Sequence, residues 1–187
     1  MAVPYLLVVT GRPGSGKTTF SKKLGEKLFL PVISRDEIKE GYVHTFQKPH
    51  VELPRESNRI LTDIFFRTVT DLIDNNVSVI AEAAFQHKVW VCQLDKLKKK
   101  SRLFVLICKV DGKTALDRFI KRGLVNPMRG YFHGDKGVGM AKQGIKLSVS
   151  SYDEPRLDVP TFHIDTSNGY RPSIDELRAK IFATDFY

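Results

Sequence analysis

Apolar residues along this chain switch repeatedly between runs and a helical period, and each switch marks an element. Tyr5 to Val9 is an apolar run that predicts a buried strand. Phe20, Leu24 and Leu28 recur at helical spacing and predict a helix from about Gly16 to Leu28. Leu30 to Ile33 reads as a second strand. Ser34 with Glu37 three residues on reads as a capping box that opens another helix. That places Asp36 in a helical first turn, at a strand's C-terminal edge, where open α/β sheets hold ligands. The polar stretch from Gly41 to Arg55, with Pro49 and Pro54, reads as a loop or flap. Ile60, Leu61, Ile64, Phe65, Val69, Leu72 and Ile73 mark a long amphipathic helix ended by Asn75-Asn76. Val77 to Ala81 predicts a third strand, closed by Glu82. Trp90, Leu94 and Leu97 give a helix, and Leu103 to Cys108 a fourth strand. Ala115, Leu116, Phe119 and Ile120 give a helix that carries Arg118 and Arg122. From Gly123 to Ser151 the periodicity fails, and glycines and cations predict a long loop with a short helix around Met140 to Leu147. Thr161 to Ile164 is the last strand. A second capping box, Ser173 with Glu176, opens the final helix.

Strands and helices alternate throughout. This predicts an α/β fold: a five-stranded parallel sheet with helices on both faces and right-handed crossovers. A length of 187 residues suits a single domain, 1–187, with a lid region at about 122–151. A composition of 42% hydrophobic and 27% charged residues fits an ordinary globular protein. No apolar run is long enough to span a membrane. No basic leader precedes the first strand, so a cytoplasmic setting is expected. Cys92 and Cys108 lack metal-ligand spacing and read as buried free thiols. The net charge of +9 fits either nucleic acid or a small anionic ligand. The basic run Lys96 to Arg102 reads as a solvated helix end.

One stretch carries specific chemistry. Gly11-Arg12-Pro13-Gly14-Ser15-Gly16-Lys17-Thr18-Thr19 follows a strand and opens a helix, which is the setting a phosphate loop of the form G-x-x-x-x-G-K-[ST] requires. Its glycines let backbone N–H groups converge on a phosphate, and the helix N-terminus adds a positive dipole end. Lys17 suits the outer phosphates, and the Thr18 hydroxyl suits Mg²⁺. Arg12 and Ser15 help hold the triphosphate. With this loop, the alternating pattern becomes a P-loop NTPase three-layer sandwich that binds ATP and Mg²⁺.

Other residues narrow the class. No N-K-x-D base-reading segment is present, which argues against a GTPase, and the chain is small for a motor core. Phosphoryl transfer to a hydroxyl needs a carboxylate to take the proton and cations to spread charge. Asp36 is the base candidate. Glu82 is a candidate for holding Mg²⁺ through water or for binding the acceptor. Arg118 and Arg122 lie four apart on one helix face and point toward the glycine-rich insert, with Arg129 a further candidate. The five histidines show no metal spacing and are assigned no role.

The phosphate loop, Ser34-Arg35-Asp36 and Leu116-x-Arg118-x-x-x-Arg122-Gly123 together resemble the kinase domain of polynucleotide 5′-kinases. The resemblance implies that Asp36 is the general base and that Lys17 and Arg122 act on the phosphates, and it puts Arg35 on the substrate side. The wider group includes chloramphenicol phosphotransferase, shikimate and gluconate kinases, and zeta toxins. The segment Val159 to Pro172 resembles uncharacterised AAA-type ATP-binding kinases of that group, in which the loop after the last strand lies by the adenine. This implies a nucleotide contact at Thr166. The chain departs from polynucleotide kinases at Glu82-Ala83-Ala84 and in its longer insert after Arg122. Three readings follow: a kinase acting on a small-molecule hydroxyl, a 5′-hydroxyl polynucleotide kinase, and an ATP-binding protein or ATPase with no acceptor.

Overall fold

The structure is a computed structural model that describes residues 2–134, 136–145, 147–149 and 151–183. Strands β1 (Tyr5–Thr10), β2 (Val32–Ser34), β3 (Val79–Glu82), β4 (Arg102–Lys109) and β5 (Thr161–Asp165) form one sheet in the order β2-β3-β1-β4-β5. Every pairing within it is parallel. Successive side chains of a strand face opposite ways, so β1 serves two cores. Leu6 and Val8 pack with Phe65, Phe66, Val69, Trp90 and Leu94, from helices α3 (Ser57–Asp74) and α4 (His87–Leu97). Leu7 and Val9 pack with Phe20, Leu24, Leu177 and Ile181, from helices α1 (Lys17–Leu28) and α8 (Ile174–Phe182). Each fully buried aliphatic or aromatic side chain stabilises this sandwich by about 1.5–3 kcal/mol.

The order of strands places the ligand crevice. After β1 the chain runs outward to β2, and after β3 it crosses back to β4. Neighbouring strands β1 and β3 therefore send their loops in opposite directions, and the crevice opens between their C-terminal ends. The phosphate loop leaves β1 there, and Glu82 ends β3 there.

A polar network anchors the end of β1 inside the core. The Thr10 hydroxyl donates to the Ala83 carbonyl at 2.8 Å and accepts from Trp90 Nε1 at 3.0 Å. The Tyr152 hydroxyl lies 2.6 Å from it. Thr10→Val keeps the shape but strands the buried indole N–H. A loss of about 1–3 kcal/mol in denaturant unfolding is expected, and an unchanged midpoint would show the network to be dispensable.

Several elements differ from the expectation. The stretch read as a loop or flap opens as helix, because α2 runs Arg35–Phe46 and takes in its first six residues. Its extension buries Val43 and sets the His44 ring against Phe132, tilted with centroids 4.7 Å apart, a contact that comes from far along the chain. A short 3-10 turn, His50–Glu52, then leads to α3. Leu30 does not begin β2. Its N–H bonds to the Gly25 carbonyl and closes the left-handed turn at Phe29 that ends α1. Val77 likewise closes the end of α3 through the Leu72 carbonyl.

The insert holds two short helices, α6 (Met128–His133) and α7 (Lys136–Lys142), rather than one at 140–147. Asn126 starts α6 by accepting the Met128 N–H at 3.1 Å, and Val138 packs into the space left by Gly123 on α5 (Gly112–Val125). Positions 135, 146 and 150 of the expected lid region lie outside the described residues. Of the two thiols read as buried, Cys108 is buried and Cys92 is exposed on α4. Burial pushes the Cys108 thiol up to about 12.

Candidate active site

The phosphate loop has little room for side chains. Gly14 has a φ of +81°, and a Cβ there would stand 2.0 Å from the Ala115 carbonyl oxygen. Glycine is what lets α5 close against the loop. Gly11 is confined likewise, with the Cys108 carbonyl 2.5 Å from where a Cβ would sit. Gly16 takes the left-handed conformation immediately before α1, so the first N–H groups of that helix face the loop. Arg12 is half-buried, while Pro13 and Thr19 are exposed. The Ser15 hydroxyl is buried and lacks a hydrogen-bond partner, an orphaned donor inside a loop shaped for an anion.

Thr166 holds the loop from behind. Its hydroxyl lies 2.7 Å from the Ser15 carbonyl and 3.0 Å from the Lys109 carbonyl, and its single proton serves one of the two. Arg118 also turns toward this loop. Its guanidinium donates to the carbonyls of Thr166 at 3.1 Å and Ser167 at 2.9 Å. That differs from the expectation that Arg118 points into the insert: its planar fork is taken by two adjacent backbone carbonyls at the end of β5. Arg122 lies one turn further on, exposed in the last turn of α5.

At the crevice, three elements bring their polar groups together. Glu82 ends β3, paired with Val9 on one side and Ser34 on the other. It is 1% exposed. One carboxylate oxygen lies 3.8 Å from Lys17 Nζ and 3.4 Å from the Thr18 hydroxyl, and the other accepts from Ser34 Oγ at 2.7 Å. The expected Ser34–Glu37 capping box is absent: Ser34 stands at the N-cap of α2 but gives its proton to Glu82, and Glu37 pairs with Lys22 at 2.7 Å. A buried carboxylate claims the hydroxyl because leaving it undersolvated costs more than leaving a helix N-terminus without a side-chain cap. Ser173 and Glu176, exposed on the surface, do form their box.

Burial raises the Glu82 carboxyl above its ordinary value, and Lys17, Ser34 and Thr18 offset only part of that rise. Ser34→Ala removes one of the offsetting groups, so Glu82 should ionise at still higher pH. If ionised Glu82 supports Mg²⁺-nucleotide binding, the acid limb of nucleotide affinity against pH moves upward in this variant. A limb at the parent position would mean that Glu82 does not govern binding.

Asp36 lies in the first turn of α2, 3.8 Å from Arg35 Nη1. Burial pushes its carboxyl up, but Lys17 foremost, then His133, Arg35 and Lys39, carry it below the ordinary value. Arg35 donates to Asn58 Oδ1 at 2.9 Å. The surroundings of Asp36 include groups that sequence reasoning passed over. Lys39 is buried and donates to the His133 carbonyl at 3.0 Å, and Glu40 meets His133 Nε2 at 2.9 Å. The pair therefore docks α6 onto α2 beside Asp36. A signal for Lys39 and Glu40 was present, since they follow Asp36 by three and four residues on one helix face. His133 carries no local signal, because a contact 93 residues away along the chain brings it there.

The donors at the crevice suit Mg²⁺. Thr18 and Glu82 place two hard oxygens 3.4 Å apart, a donor set that would fit Mg²⁺, which takes few protein oxygens. Among the described residues no group of three or more His, Cys, Asp and Glu side chains gathers for a metal. No helix among them is long and apolar enough to cross a membrane.

Comparison with known proteins bears on the fold that holds these residues. A solved candidate kinase from Chloroflexus aurantiacus superposes with a TM-score of 0.78 at 21% identity, covering 98% of each chain. A gluconokinase from Sinorhizobium meliloti 1021 superposes with a TM-score of 0.58 at 14% identity, over 98% of this chain and 94% of the other. The Mycobacterium tuberculosis APS kinase CysC, solved with AMPPNP and APS, gives a TM-score of 0.57 at 16% identity over 98% of each chain. At such identities these likenesses speak for the fold. A family model described as an AAA domain matches residues 6–130. The match covers more than half of the chain, which therefore belongs to this AAA-domain family and has a P-loop kinase-like fold.

Proposed function

We propose that this protein moves the γ-phosphoryl group of ATP, bound as its Mg²⁺ complex, to a hydroxyl of a small-molecule acceptor. One observation carries the reading: Asp36 stands in the first turn of α2, two residues after Ser34, whose hydroxyl is bonded to Glu82 beside Lys17, and Lys17 is the foremost charge that lowers its carboxyl. A carboxylate at this place can take the proton of an acceptor hydroxyl as its oxygen attacks phosphorus, and the acceptor panel separates that role from activation of water.

In this reading the loop N–H groups, Lys17 and Ser15 grip the triphosphate, with Gly11, Gly14 and Gly16 allowing the close backbone approach. Thr18, and Glu82 through water, would hold Mg²⁺, which would supply positive charge against the phosphates. The acceptor oxygen forms a bond to the γ-phosphorus as the bond from that phosphorus to the β,γ-bridging oxygen breaks. The hydroxyl proton passes to Asp36, and the electron pair of the broken bond leaves on ADP. Lys17 stays with the phosphates throughout, and Arg122 adds charge from the lid side. Helix α6, held to α2 through His133, limits the access of water that would otherwise compete with the acceptor. Arg118 fixes the β5–α8 loop next to the nucleotide.

The test is ADP formation measured across a panel of hydroxylated metabolites, sugar acids and oligonucleotides. The reading expects a marked rise with one chemical class of the panel. The same rate with every compound and with none would identify an ATPase instead.

A further inference from the structure

Tyr152 is the first residue after the glycine-rich insert, and its hydroxyl reaches back to the start of the phosphate loop. That hydroxyl lies 2.6 Å from Thr10 Oγ1 and 3.2 Å from the Phe85 carbonyl oxygen. Thr10 gives its own proton to the Ala83 carbonyl at 2.8 Å and accepts the Trp90 N–H at 3.0 Å. The phenol is therefore the donor in the shorter contact. The backbone N–H of Gly11, the first residue of the phosphate loop, also acts on the phenol oxygen. Hydrogen bonds thus run in one direction, from Gly11 through Tyr152 and Thr10 to the carbonyl of Ala83, next to Glu82. These groups come from three parts of the chain. Thr10 ends β1, Ala83 and Phe85 follow Glu82 at the end of β3, and Tyr152 arrives from the insert. The Ala83 N–H bonds to the Val9 carbonyl at 3.2 Å, and two residues after Val9 the chain turns into the loop with a Gly11 φ of +148°. A hydroxyl that holds Thr10 fixes where that turn begins relative to Glu82.

We propose that Tyr152 is a positioning residue for nucleotide binding: its hydroxyl sets the start of the phosphate loop against the Glu82 end of β3, so that the loop N–H groups and the Thr18–Glu82 pair face the same triphosphate. The inference rests on the kinase reading and deepens it. Tyr152 acts through Thr10 and the loop. The segment that carries it is clamped by other bonds as well. The Asp153 N–H donates to Gln86 Oε1 at 2.6 Å, and Glu154 pairs with Lys109 at 3.1 Å and lies 3.6 Å from His163 Nε2. Anchoring of the segment and positioning of the loop are therefore separable by substitution.

The test is calorimetric titration of AMPPNP with Mg²⁺ into the full chain, well below the melting temperature of each variant, which thermal unfolding supplies. Tyr152→Phe keeps the ring and removes only the hydroxyl. It should weaken AMPPNP binding by about tenfold, the size of one well-placed hydrogen bond. Thr10→Val removes the partner from the other side and should weaken binding to a similar extent. Glu154→Gln loosens the same segment away from the loop and should bind AMPPNP with the parent affinity. A merely structural anchor would lower the melting temperature in Tyr152→Phe and leave the affinity of the folded protein unchanged. Parent affinity in Tyr152→Phe, or an equal loss in Glu154→Gln, overturns the inference. The wild-type titration separates the two claims: failure to bind AMPPNP defeats the kinase reading and this inference together, whereas wild-type binding that Tyr152→Phe leaves unchanged defeats this inference alone.

Discussion

Lys17→Ala is expected to remove tight ATP binding and to lower phosphoryl transfer by about 10²–10³, the cost of losing one preorganised group at developing charge. Lys17 is 6% exposed in the first turn of α1, directly after the left-handed Gly16 that closes the loop. It also faces Glu82 at 3.8 Å and is the strongest influence holding Asp36 ionised. Its removal therefore acts three times: on the phosphates, on Glu82, whose already raised carboxyl rises further, and on Asp36, which loses its main stabilising charge. The fold should survive, because Glu82 can take up a proton instead of remaining a buried, unpaired anion. The check is nucleotide affinity by calorimetry alongside far-ultraviolet circular dichroism. Native spectra with parent affinity would contradict the assignment of the loop.

Asp36→Asn is expected to lower acceptor phosphorylation by about 10²–10⁴, the usual contribution of a general base, with ATP affinity close to the parent value. Asparagine keeps the shape and the helix first turn but cannot accept the proton. Because the folded-state value of Asp36 is depressed, the carboxylate is the form present above the ordinary aspartate range of about 4. Activity limited by this group is therefore retained across neutral pH and lost only as pH falls through the lowered value. An acid limb near neutrality would point to another group, with Glu82, whose value is raised, next in line. A variant that phosphorylates the acceptor at the parent rate would make Asp36 no more than a helix N-terminal charge.

The fold was legible because its signals are local. Runs such as Tyr5 to Val9 and periodic helices such as Ile60 to Ile73 need no partner to be recognised, and the alternation of strand and helix then leaves few topologies. The loop from Gly11 to Thr19 was legible for the same reason, since a contiguous motif carries its own geometry. What failed was non-local. Helix α2 continues past Gly41 because Val43 and His44 find packing partners, and α6 is placed by contacts with α2. Ser34 illustrates the competition: the spacing to Glu37 spells a capping box, but Glu82, 48 positions away in sequence, takes the hydroxyl. The Asp36 environment was half legible. Lys17 and Arg35 could be placed near it from the fold and the chain, whereas His133 arrives from the insert, where no periodicity predicts an orientation.

The central claim is that Lys17, Glu82 and Asp36 form one centre that transfers phosphate to a hydroxyl rather than to water. Its most direct measurement follows the label of γ-³²P-ATP with Mg²⁺ in the presence of the acceptor panel, and separates labelled acceptor from labelled inorganic phosphate. Label is expected to accumulate on an acceptor hydroxyl with the parent protein, and Asp36→Asn, still able to bind ATP, is expected to lose this product. Label found only in inorganic phosphate for every acceptor, at the same rate with Asp36→Asn, would contradict it.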